Sequence, residues 1–122
     1  MVHDARFQDV FGRLKGLLEP FAAQLVVQAD APGHYALGTR YNERWKKELS
    51  FGGVQIRKRY VSYYFMPVYM FPELLDGISP ELRQRMQGKG CFNFTGVDEL
   101  VLSELARLTA QGFECFQREQ YV

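Results

Sequence analysis

Residues 49–65 read LSFGGVQIRKRYVSYYF, which predicts two antiparallel strands joined by a basic turn. Side chains alternate between the two faces of a strand, so this hairpin divides into an apolar set and a polar-aromatic set. The apolar set is Val54, Ile56, Val61, Tyr63 and Phe65. The polar-aromatic set is Gln55, Arg57, Tyr60, Ser62 and Tyr64. The paired glycines at 52–53 predict a bulge or a sharp bend in the first of the two strands.

The rest of the chain predicts helices and further strands on both sides of this hairpin. Apolar residues spaced by three and four predict a helix over 5–18, with Asp4 as its cap. A first hairpin is predicted from strands at 24–28 and 34–41. Downstream, Pro72 and Ser79 open short helices before a strand at 91–94.

The final helix is predicted to begin just after that last strand. Thr95 and Asp98 resemble a capping box at its head, and Gly112 either ends the helix or is tolerated within it. Strands and helices are thus segregated along the chain, as in α+β proteins. We predict a single α+β domain over 1–122, with a mainly antiparallel sheet of about five strands covered by N- and C-terminal helices. The predicted core is Phe7, Phe11, Leu14, Val54, Ile56, Val61, Phe65, Phe92, Leu105 and Leu108.

Composition narrows the class of protein. The chain of 122 residues is 47% hydrophobic and 24% charged, which is typical of a folded domain and not of a disordered segment. Two cysteines, Cys91 and Cys115, are too few for a disulfide framework or a four-ligand zinc site. The first residues carry acid and base, unlike a signal peptide, and no run approaches the roughly 18 apolar residues of a membrane span. We expect a cytoplasmic protein with free thiols and no membrane partner.

The segment from Arg40 to Arg59 is locally basic. It holds seven cations and two anions and so carries +5, and the rest carries −4 because the chain totals +1. Such a segment attracts an anionic ligand. It is equally typical of a solvated sheet edge, where charge prevents strands of different molecules from pairing.

Four motifs resemble the YdhG-like family of bacterial domains of unknown function. They are FGGVQI at 51–56, YVSY at 60–63, MPVY at 66–69 and GKGCFNF at 88–94. The resemblance covers most of the chain and is most specific in its later two-thirds. It implies a compact α+β fold with a mostly antiparallel sheet, and it implies no established reaction. The wider family is distantly frataxin-like, which implies an iron-binding carrier as one candidate function.

The polar-aromatic sheet face is the leading candidate for a binding site. Aromatic rings stack on planar groups, and a guanidinium binds carboxylate or phosphate through paired hydrogen bonds. We therefore predict a non-catalytic binding or accessory module, without a cofactor, for an anionic small molecule or a protein partner. The residues assigned to this site are Arg40, Arg57, Tyr60, Tyr64 and Lys89. The alternative is that Tyr60 and Tyr64 pack under a loop or against a second subunit in a homodimer. A nucleic-acid partner is not expected.

A metal carrier is a second hypothesis. Hard cations such as iron prefer crowded oxygen ligands, and the final helix offers Asp98, Glu99 and Glu104 within two turns. Acids in the first turn of a helix also complement its dipole. We therefore expect no metal site.

An enzyme is the third hypothesis. Cys91 with His3 or His34 would supply a nucleophile and a base. A free cysteine beside Phe92 in a short strand is more typical of a small buried residue. We therefore predict no catalytic residues.

Overall fold

The computed structural model describes residues 5–122. In chain order its elements are α1 (Ala5–Leu18), β1 (Val26–Ala31), β2 (His34–Asn42), β3 (Lys47–Ile56), β4 (Val61–Phe65), α2 (Met66–Met70), α3 (Pro80–Arg83), β5 (Met86–Gln87), β6 (Cys91–Phe94) and α4 (Glu99–Arg118). Two 3₁₀ segments, Glu19–Gln24 and Pro72–Leu75, follow α1 and α2. Asp4 as the predicted cap of α1, and His3 as a candidate base, lie outside the described residues.

The described strands form one sheet in the order β1-β2-β3-β4-β6-β5, and each neighbouring pair is antiparallel. The predicted α+β fold with terminal helices is therefore confirmed. The sheet has six strands and not about five, because it includes the two-residue strand β5, which was not predicted. Met86 and Gln87 lack the β-branched pattern of a strand and pair with β6 only after the turn at 88–90 reverses the chain.

The helices α1 and α4 pack on the face of the sheet that carries the apolar set. All ten predicted core residues lie in one buried cluster on this side. The centre is aromatic: the ring of Phe51 lies 5.3–5.8 Å, centroid to centroid, from the rings of Phe65, Phe113 and Phe116. These rings meet edge to face, which is a favoured geometry for aromatic pairs. Within residues 5–122, no helix has the length and apolar character needed to cross a membrane.

A bulge in β3 accounts for the paired glycines. Leu37 pairs with Gly52 and the next residue of β2 pairs with Ser50, so Phe51 is the extra residue. A side chain at Gly52 would meet Leu18 of α1 at 3.0 Å. Glycine therefore lets α1 approach the sheet here, and the predicted bulge is confirmed.

Two predicted boundaries are wrong. The N-cap of α4 is Asp98, whose backbone is extended and whose carboxylate accepts a hydrogen bond from the Val101 amide at 3.3 Å. Thr95 precedes the helix by too many residues to cap it. The first strand begins at Val26 because the 3₁₀ segment extends to Gln24. The helix α4 continues through Gly112 to Arg118, so that glycine is tolerated.

Candidate functional site

The sheet face opposite α1 and α4 carries small and polar side chains. Strand register aligns them in two rows that run across β2, β3, β4 and β6. One row is Ala36, Gly53, Tyr64 and Cys91. The other row is His34, Gln55, Ser62 and Asn93. Most of these residues are half-buried, so the face is accessible to a ligand of small size.

A hollow of about 290 Å³ lies on this face, and we call it the sheet-face hollow. Its lining is His34, Ala36, Gly53, Val54, Gln55, Arg57, Ser62, Tyr64 and Cys91. The hollow exists because two neighbouring residues, Ala36 of β2 and Gly53 of β3, have side chains of only a methyl group and a hydrogen atom. A side chain added at Gly53 would lie 3.1 Å from the Tyr35 carbonyl oxygen and 3.4 Å from the Ala36 methyl. The floor is therefore backbone, and longer side chains form the walls.

The charge of the hollow is positive. Arg57 supplies it, and no carboxylate is among the described lining residues. Within residues 5–122, the Arg57 guanidinium makes no ion pair or side-chain hydrogen bond. Its backbone is fixed, because the Arg57 amide donates to the Tyr60 carbonyl at 2.8 Å and closes the turn between β3 and β4. A guanidinium on a rigid hairpin is thus left with its donors available for an anion.

The structure brings together some of the predicted site residues and separates others. Arg57 and Tyr64 line the sheet-face hollow. Tyr60 lies opposite Arg57 at the end of the hairpin and is half-buried, outside the hollow's lining. Arg40 lies in a separate depression with Glu119 and the end of α4. Lys89 lies in a third hollow, beside Arg83 and Tyr69.

The sheet-face hollow also contains residues that were not predicted to bind anything. His34 begins β2, and the same alternation that grouped the tyrosines places it on this face, opposite Gln55. That signal is present in the sequence. Cys91 is different, because its position beside Tyr64 depends on the pairing of β4 with β6 across more than twenty intervening residues.

Cys91 is half-buried, which corrects the expectation that it is a buried residue. The reason is alternation: Phe92 and Phe94 take the core-facing positions of β6 and leave Cys91 on the open face. Cys115 is buried in α4, and both cysteines are free, as predicted.

Cys91 and His34 do not form a nucleophile–base pair. They lie on β6 and β2, which are three strand spacings apart in the sheet, or roughly 14 Å. A base must be within hydrogen-bond reach of the nucleophile that it activates, roughly 3 Å. The sheet thus holds these two groups apart.

The three carboxylates considered above as metal ligands contact three different protein groups. Asp98 caps α4 and lies 3.8 Å from Arg85. Glu99 accepts hydrogen bonds from Arg13 at 2.5 and 2.8 Å, which lowers the pKa of its carboxyl. Glu104 accepts from the amide and hydroxyl of Ser79 at 2.7 and 2.5 Å. Within the part of the chain that the structure describes, no three His, Cys, Asp or Glu side chains are grouped closely enough to hold a metal ion.

No family model, curated protein or solved structure matches this chain. The resemblance to the YdhG-like family therefore stays a prediction, carried by the motifs quoted above.

Proposed function

We propose that this domain is a non-catalytic binding module whose sheet-face hollow binds a small, planar organic anion. The observation that supports the proposal most directly is the hollow itself. It is a concave site of about 290 Å³ whose lining includes both Arg57, with its guanidinium available for an anion, and Tyr64. Ligand sites commonly start at roughly 300 Å³, so the volume suits a small ligand with one aromatic or conjugated group.

The chemistry of the lining favours an anion with a flat body. Arg57 can donate two parallel hydrogen bonds to a carboxylate or phosphate group. Gln55 and Ser62 add neutral donors on neighbouring strands. The ring of Tyr64 offers an apolar surface on which a planar group stacks. A cationic ligand would meet Arg57 with no carboxylate among the described lining residues to compensate.

Three further elements belong to the same proposal. The module is YdhG-like, on the motifs at 51–56, 60–63, 66–69 and 88–94. It works as an accessory domain, because the lining supplies groups that bind and no nucleophile–base pair. It is cytoplasmic, a location with which the free thiols of Cys91 and Cys115 agree.

The test uses simple probes of matched shape. Benzoate and phenyl phosphate carry a ring and an anionic group, and benzylamine carries the same ring with a cation. Titrated into the full chain at low salt and followed by NMR, the two anions should shift the amide signals of Gly53, Tyr64 and Cys91. Benzylamine should leave them unchanged. Added salt should weaken the binding of both anions, because salt screens their attraction to Arg57.

Variants assign the binding to the hollow. Arg57→Ala should weaken the affinity for benzoate by about tenfold or more, because a charge-assisted hydrogen bond is lost. Arg59→Ala is the matched control, since Arg59 occupies the same turn outside the hollow's lining. Equal loss in both variants would mean general attraction to a basic turn. Anion-induced shifts that avoid β3, β4 and β6, or no shifts at millimolar probe, would refute the proposal.

A further inference from the structure

Two apolar hollows meet at Tyr69, on the short helix that follows β4. The first, of about 330 Å³, is lined by Trp45, Lys47, Glu48, Leu49, Ser50, Met66, Tyr69 and Met70. The second, of about 690 Å³, is lined by Val68, Tyr69, Pro72, Leu75, Arg83, Met86, Gly88 and Lys89. We call the two together the α2 groove. Tyr69 is 58% exposed and belongs to both linings, so it forms the ridge between them.

The first hollow has the composition of a protein-binding hot spot. Trp45 is 45% exposed, although a tryptophan is costly to leave in water. Met66 and Met70 lie one helical turn apart beside it, and methionine side chains adapt to different apolar partners. Trp and Tyr are enriched where interface energy is concentrated. The charges of Lys47 and Glu48 cancel, so this hollow selects for apolar groups.

The second hollow adds a positive rim. Arg83 and Lys89 line it, and none of its described lining residues is acidic. The Arg83 guanidinium is held in place by donating to the Leu75 carbonyl at 2.6 Å, which leaves its other donors for a partner. Neither cation makes an ion pair with a carboxylate of residues 5–122. An apolar floor with two uncompensated cations complements an apolar segment that carries a carboxylate.

We propose that the α2 groove is a docking site for a peptide segment of a partner protein, with apolar side chains on both sides of Tyr69 and an acidic residue at the Arg83–Lys89 end. Two hollows separated by a ridge match successive side chains of one segment, and they do not match a single compact molecule. The charge difference between the hollows fixes the direction in which the segment lies.

This site is independent of the sheet-face hollow. The two linings share no residue, and the groove lies where β4 passes into α2. A failure of the anion-binding proposal therefore leaves this one intact, and the reverse is also true.

The experiment selects random linear peptides displayed on phage against the immobilised full chain. Enriched peptides should combine large apolar residues with Asp or Glu at one end. A synthetic copy of the most enriched peptide should shift the emission of Trp45, which is the only tryptophan of the chain and lines the first hollow. Tyr69→Ala and Lys89→Glu should each weaken the affinity for that peptide by about tenfold or more. Both residues are exposed, so both variants should fold.

Matched controls separate the groove from general charge and from the other site. Lys58→Glu makes the same charge change in the turn between β3 and β4, and Arg57→Ala alters the sheet-face hollow. Both should bind the peptide as the parent does. The proposal is overturned if no peptide is enriched, if the enriched peptides lack acids, or if Lys89→Glu binds them unchanged. It is also overturned if sedimentation shows a dimer that Tyr69→Ala dissociates, because the occupant is then a second copy of the chain.

Discussion

Tyr63 and Tyr64 are neighbours on one strand and belong to different environments. Tyr63 is fully buried under α4, and its hydroxyl lies 2.6 Å from the Thr109 hydroxyl. The Thr109 proton is already donated to the Leu105 carbonyl, so Tyr63 must be the donor of this pair. Tyr64 points to the opposite face and is half-buried at the wall of the sheet-face hollow. The difference shows that one face of the sheet is packed in the core and the other stays partly accessible.

Truncating both tyrosines gives the largest contrast. Tyr63→Ala should lower the free energy of unfolding by about 3–5 kcal/mol, because it opens a cavity in the aromatic core. Tyr64→Ala should cost about 1 kcal/mol or less, mainly through weaker strand propensity. Urea denaturation of the two variants measures both values. If Tyr64→Ala proves as costly as Tyr63→Ala, the tyrosine is core packing and the sheet-face proposal fails.

Two helical glycines extend the comparison to the helices. A methyl group at Gly112 of α4 would lie 2.5 Å from the buried Phe65 ring and 2.7 Å from Pro67, whereas one at Gly12 of α1 meets nothing within 4 Å. Gly112→Ala should therefore destabilise by about 1 kcal/mol, since overpacking outweighs the gain in helix propensity. Gly12→Ala should stabilise by about 0.5–1 kcal/mol. Thermal melts of the two variants should move in opposite directions, and a shared direction would contradict the close packing of α4 on β4.

The hydroxyl of Tyr63 provides an effect of similar size to those of the glycine variants at neutral pH. Tyr63→Phe should cost about 1 kcal/mol, the usual net value of one buried hydrogen bond. Burial raises the pKa of Tyr63 well above its ordinary value near 10. Above pH 10 the unfolded chain therefore ionises this tyrosine while the folded chain does not, so stability falls as the pH rises.

Tyr63→Phe removes that contribution. Between pH 10 and 11, the free energy of unfolding should fall less steeply for the variant than for the parent, by up to about 1.4 kcal/mol per pH unit. Tyr35, whose pKa burial also raises, contributes equally to both proteins and does not disturb the difference. Identical slopes would mean that water reaches the Tyr63 hydroxyl.

Local pattern was sufficient to predict the elements of the fold. The helical spacing from Phe7 to Leu18 and the alternation over 54–65 each place apolar groups on one face, and the structure buries both sets together. The capping residue of α4 was harder to predict, since Thr95 and Asp98 both have side chains that cap helices, and only backbone geometry distinguishes them. The two-residue strand β5 carries too few residues for any pattern to be detected.

The candidate site was also predictable only where it depends on local pattern. Alternation along one strand is a local property, so the sequence by itself placed Arg57 and Tyr64 on the face that the helices leave open. Which residues of other strands lie beside them depends on register and strand order, which are set by packing across the whole sheet. Only the tertiary structure therefore decides that Cys91 lies next to Tyr64 and that Arg40 and Lys89 lie on other surfaces. It also decides that segments far apart in the chain form the α2 groove. The physical reason is that the direction of a side chain follows from the backbone of its own residue. Which residues of different strands become neighbours depends on how the apolar side chains of the whole chain pack together.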